Sequence, residues 1–162
     1  MSQYSKFDSM IDLMSFLKSV SYKDFTTLMS DRDVYISQAG SCHDQALFEY
    51  FALRHLKYNP TIHFIIAVDV NGHGMETHSF VSFEKSGSYY WLENAWGPYA
   101  GLHKYKTEND LVNNVTDLFI SNGNYSDVTK FYISIVDPYK HTVGESLEEF
   151  VDTCMDNAVE VL

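Results

Sequence analysis

The chain has 162 residues, 45% of them hydrophobic, with 11 Lys and Arg against 22 Asp and Glu for a formal net charge of −11, the profile of one domain over residues 1–162. A polyanion without clustered Lys and Arg is a poor partner for nucleic acid or an anionic membrane surface, so neither is expected. The longest apolar run, Phe64 to Val68, is far below the roughly 20 residues that cross a bilayer, and no basic-then-apolar leader opens the sequence, so a soluble, cytoplasmic protein is expected.

Asp8 is placed to cap a first helix in which Met10, Ile11, Met14 and Leu17 recur at helical spacing, and a second short helix is predicted from Tyr22 to Met29. A third, from Ser41 to about Lys57, is apolar on most of its circumference, as a helix inside a domain is. Strands are predicted at Thr61–Val70, Glu76–Lys85, Ser88–Ala95 and Phe131–Val136, with Ser86 and Gly87 joining the middle two as a hairpin. A helix from Thr107 to Ile120 precedes the last strand. The chain closes on an amphipathic helix from Gly144 to Leu162, its apolar stripe running from Leu147 through Phe150 and Cys154 to Leu162. Helices first, then an antiparallel sheet with helices packed on it, describe an α+β fold.

The two cysteines are too few for a disulfide framework or a four-thiolate zinc site. Cys154 falls in mid-helix on the core stripe, where a free thiol behaves as a small hydrophobe. Cys42 follows Gly40 and Ser41 at the first turn of the buried helix. Unsatisfied backbone N–H groups and the positive end of the helix dipole favour thiolate there and can stabilise an oxyanion.

A nucleophile also needs a base, and there are seven histidines. His43 and His55 share the Cys42 helix and cannot easily swing over its start; His63 opens a strand, His73 sits in a turn, and His103 and His141 are in loop-like surroundings. His78 lies within a strand, and the next strand ends in Trp91-Leu92-Glu93-Asn94-Ala95-Trp96-Gly97, which offers a carboxylate or an amide to orient its ring. Asp44 and Glu49 read as solvent- or rim-facing charges, and Trp91 and Trp96 as shields for the imidazole. A zinc site from Cys42, His43 and His78 lacks ligand-type spacing and a fourth ligand, and no phosphate-cradling loop or dinucleotide fingerprint occurs, so no cofactor is expected.

Gly40-Ser41-Cys42 at a buried helix start, a strand histidine, then an acidic residue or Asn on the following strand resembles the transglutaminase-like and papain-like cysteine enzymes. These share Cys, His and Asp/Asn in that chain order. The similarity spans Gln38 to Gly97. The separation of 15 residues from His78 to Glu93 is similar to the transglutaminase-like pattern, and Asn94-Ala95-Trp96-Gly97 resembles the Asn-Ser-Trp-Gly of papain-like peptidases. Papain-like enzymes carry Trp after the cysteine and an oxyanion Gln six residues before it; here His43 follows and Gln38 lies four before. The smaller transglutaminase-like core fits the chain length better.

Pleat parity offers an independent choice between Glu93 and Asn94, because neighbouring strand residues point to opposite faces. A two-residue turn at Ser86-Gly87 sets Lys85 opposite Ser88, hence His78 opposite Ala95, with Glu93 a diagonal neighbour on the His78 face. A three-residue loop selects Asn94 instead. The expectation is acyl transfer by Cys42, His78 and Glu93, with Asn94 the alternate third member and Gln38 a candidate oxyanion donor, acting on an amide or glutamine-type carbonyl of a protein or peptide. The other reading is a catalytically silent binding module of the same fold, with the aromatic hairpin and the loop from Trp96 to Tyr105 as its recognition surface.

Overall fold

The computed structural model describes residues 2–123 and 125–161, with Met75 described by its backbone alone. The fold is α+β: a six-stranded antiparallel sheet in the order β6-β5-β4-β3-β7-β8, with helices on both faces. Its strands are β3 (Pro60–Asp69), β4 (Gly74–Lys85), β5 (Ser88–Glu93), β6 (Gly101–Tyr105), β7 (Val128–Val136) and β8 (Val159–Glu160). β3 is an interior strand, paired with β4 and β7, and its two side-chain rows feed two cores. Ile62, Phe64, Ile66 and Val68 join α1 (Met10–Leu17), α2 (Asp31–Ser37), α3 (Cys42–His55) and α5 (Leu147–Met155) on one face. Ile65 and Ala67 join α4 (Glu108–Asn122) on the other. Burial on both sides explains why β3 reads as a near-continuous apolar run. No described helix is long and apolar enough to cross a membrane.

The central helix begins where the sequence places it. Ser41 is its N-cap, and a capping box with Asp44 closes the end: Asp44 N–H donates to Ser41 Oγ at 3.3 Å and Ser41 N–H to Asp44 Oδ2 at 2.9 Å. The β4–β5 hairpin also forms on a two-residue turn, with Lys85 opposite Ser88. Ser86 and Gly87 take φ of 53° and 77°, positive at both central positions as a type I′ turn requires.

Three expected elements differ. The first helix is capped by Ser9 rather than Asp8, because Ser9 Oγ accepts from Asp12 N–H and the Asp12 carboxylate accepts from the Asp8 N–H. Tyr22 to Met29 is not helical, since its backbone groups serve distant partners. Ser21–Tyr22 forms β1, parallel to β2 (Ala39–Gly40); Leu28 bonds Gly144 and Glu145; Met29 N–H donates to Asp44. The helix of this region starts instead after Ser30, whose Oγ accepts from Asp33 N–H. At the C-terminus, the expected helix from Gly144 covers only Leu147–Met155, because Gly144 and Glu145 are tied to Leu28 and Ser146 forms the capping box with Glu149. Beyond it Val159, within the expected helix, pairs instead with Ile133 of β7; Leu162, the last expected member of the stripe, lies outside the described residues. The segment from Trp96 to Tyr105 is likewise no simple loop, for it carries a 3₁₀ turn and the edge strand β6 with His103.

Candidate active site

Cys42 stands at the first position of α3, at the edge of the sheet. The β4–β5 ladder runs only to Val81 and Leu92, while β4 continues to Gly74 against β3. Beyond Leu92 the chain bends away from β4, and the start of α3 packs beside the freed edge. His43 pins it there: its Nδ1 bonds Ser79 Oγ at 2.5 Å and its Nε2 bonds Thr77 Oγ1 at 3.1 Å. On the other side, Gly40 allows the close approach of the incoming chain, since a Cβ there would sit 2.9 Å from Asp44 Cβ. Parallel pairing of Tyr22 with Gly40 brings the Tyr22 side chain to the cavity that Cys42 and His78 line.

His78 is buried, and its Nε2 bonds Glu93 Oε2 at 2.8 Å. The second oxygen of Glu93 accepts the Trp96 N–H at 2.9 Å, so the bend after β5 holds the carboxylate at both ends. The Trp96 ring meets the imidazole edge-on, 5.1 Å between centroids, and shields it. Nε2 is thus engaged by Glu93, and His78 lines the same cavity as Cys42. Asn94 points elsewhere. Its Nδ2 donates to Gln45 Oε1 at 2.7 Å and Val20 O at 3.2 Å, and Gln45 in turn donates to Gly40 O at 2.8 Å, so this amide braces the chain entering α3.

The electrostatics follow from burial opposed by charge. Burial alone pushes the Cys42 thiol up, but the His43 and His78 imidazoles beside it outweigh that and hold it well below an ordinary thiol. Burial likewise pushes His78 down, and the Glu93 carboxylate together with the Cys42 sulfur more than reverses it, so His78 is held above an ordinary imidazole. Both shifts favour one state, a thiolate facing an imidazolium whose Nε2–H donates to Glu93.

Several residues stand apart from their expected places. Gln38 is exposed, in the left-handed conformation (φ 51°) that ends α2, and does not line the Cys42 cavities. Asp44 and Glu49 are buried, not rim-facing: Asp44 in the cap, Glu49 on the Cys42 side of α3 two turns along. Among the described residues Glu49 Oε1 has no hydrogen-bond partner, and burial together with the nearby Glu93 charge pushes its carboxyl well above the usual range. His43, whose ring bonds Ser79 and Thr77, lowers the neighbouring Cys42 thiol. Its adjacency to Cys42 was the signal for it, and the seven-residue interval from Cys42 was the signal for Glu49; Tyr22 and Glu76 had none. Among the described residues no three His, Cys, Asp or Glu side chains are arranged to hold a metal ion.

The chain matches no protein-family model, and a search of the curated proteins finds no significant match.

Proposed function

We propose that the protein is a cysteine-dependent acyl-transfer enzyme with a transglutaminase-like or papain-like core, using Cys42, His78 and Glu93. One observation carries this reading: a thiol at a helix start lines a cavity with an imidazole whose far nitrogen is fixed by a buried carboxylate at 2.8 Å. The Cys42 thiolate attacks an amide carbonyl carbon, and the first-turn N–H of α3 faces the developing oxyanion. His78 Nδ1–H then protonates the leaving nitrogen as the C–N bond breaks, leaving a thioester. The neutral imidazole next takes a proton from water or an amine, which attacks the thioester. The products are a carboxylic acid or a new amide, and the thiolate is restored. Glu93 keeps the ring oriented and stabilises its charged form throughout.

A panel of acyl-donor probes, each carrying an electrophile in place of the scissile amide, tests the reading by intact-mass labelling. Cys42 acquires the label faster than a free thiol at pH 7, the Cys154→Ala variant labels as the parent does, and Cys42→Ala does not label. Labelling of Cys42 no faster than free cysteine, or only above a pH of about 8.5, overturns the proposal and leaves a fold without the chemistry.

A further inference from the structure

Two hollows meet at Cys42. The first, about 270 Å³, is walled by the rings of Tyr22, Trp96, Phe119 and Tyr125, with Glu76 at its side. The second, about 360 Å³, shares Tyr22 and Glu76 and adds Asp24. Neither is lined by Lys or Arg; His78, which lines the first, is paired with Glu93, His43, which lines the second, bonds Ser79 and Thr77, and among the described residues Glu76 forms no salt bridge. The aromatic wall is built on purpose-fitting backbone. A Cβ at Gly123 would lie 1.9 Å from the Tyr125 ring, so glycine is what lets that ring fold back over the chain, where its hydroxyl donates to Phe119 O at 3.0 Å. Glu76 and Tyr125 line the same hollow, and burial together with that carboxylate pushes the Tyr125 phenol up.

Aromatic faces around a carboxylate with no basic partner are the chemistry that takes an organic cation. The ring quadrupoles attract the charge, the rings pack against its alkyl stem, and the carboxylate supplies the counter-ion. An acidic group is repelled by the carboxylate, and a neutral one gains from the rings alone. We propose that the first hollow receives the cationic side chain, of lysine or arginine type, of the acyl donor, with Glu76 as its counter-ion. The inference rests on the acyl-transfer reading of Cys42 and names the substrate class for it.

The test uses the whole chain and two electrophilic peptide probes that differ only next to the reacting carbonyl, one with lysine and one with norleucine, the same stem without the ammonium. The second-order rate of mass addition at Cys42 is measured for each. The lysine probe is expected to react roughly ten-fold faster, with a ratio that shrinks as salt is raised. In Glu76→Gln the ratio falls towards one, and in Glu76→Lys the norleucine probe becomes the faster. A ratio near one in the parent, or one that Glu76→Gln leaves unchanged, overturns the subsite while the acyl-transfer reading stands. Should neither probe outpace free cysteine, the acyl-transfer reading falls, and a second measurement decides the subsite. Cys42→Ala protein is titrated with the lysine and norleucine peptide amides: a lysine preference removed by Glu76→Gln supports the cation site, and equal binding overturns it.

Discussion

Cys42 and Cys154 are both buried free thiols, and their surroundings drive them in opposite directions. Burial raises both. At Cys154 nothing opposes it and the Glu145 charge adds to it, so the thiol is pushed up to about 12. At Cys42 the two imidazoles reverse it. Burial alone therefore raises a thiol, and what lowers Cys42 is the pair of imidazoles beside it, His43 from its own helix and His78 from β4.

The largest effect expected comes from removing the reactive member. Cys42→Ala should lower acyl-probe turnover by at least roughly 10³-fold, while Cys154→Ala leaves the labelling rate where it was. Equal losses in both would break the contrast. His78→Gln should cost on the order of 10³-fold and move iodoacetamide reactivity of Cys42 up towards an ordinary thiol pH. In the parent, the lowered thiol and raised imidazole mean that the thiolate persists as pH falls through neutrality. It is lost only when pH drops below the depressed thiol value. A profile with its midpoint at or above about 8.5 would show that the imidazoles do not act on the sulfur.

A second contrast, between two buried histidines, sharpens the first. His63 lies in β3 with Nε2 2.8 Å from Ser82 Oγ, and burial pushes it down to about 4. Glu108 Oε1, at 3.8 Å on a half-exposed side chain, does not offset this as Glu93 does for His78. The folded value lies below the unfolded one of about 6.5, so as pH falls through 6.5 the unfolded chain binds the proton first and stability declines, levelling off below about 4. The loss should reach about 3 kcal/mol, and His63→Phe should flatten that part of the stability-against-pH curve measured by denaturant unfolding. A curve that keeps its slope in the variant assigns the acid sensitivity to other groups.

Smaller effects test the support. Glu93→Gln should cost about 10- to 100-fold in labelling rate, because the amide still meets the ring but no longer stabilises its charge, whereas Asn94→Ala should act on stability through the Gln45 brace. The reverse pattern would make Asn94 the third member. Last, Cys154→Ala should cost about 1 kcal/mol in chemical denaturation, the loss of one buried sulfur from a packed core.

What could be read ahead of the structure is what depends on near neighbours. The Ser41 cap, the periodicity of α3 and the two-residue turn at Ser86-Gly87 are all short-range, and parity carried from that turn separates Glu93 from Asn94 without knowledge of the fold. Two failures share a cause: Tyr22–Met29 and Gly144–Glu145 carry helical-looking side chains, but their backbone groups are claimed by residues far away in sequence, which no local pattern records. Asp44 and Glu49 were misread for the same reason: a charge on a helix reads as exposed until the packing partner is known. The caps at Ser9 and Ser146 close on residues three positions on and differ from the expected starts for purely local reasons.

The order of residues alone set where α3 starts, which thiol heads it and how the hairpin aligns, because caps and turns close over a few bonds of chain. Only the folded molecule decided that His43 and His78 both stand where they lower that thiol, that Glu49 is buried with an oxygen unpartnered among the described residues, and that Gln38 stands away. Ionisation is governed by burial and by charges within a few ångströms, and those distances exist only after remote segments have packed.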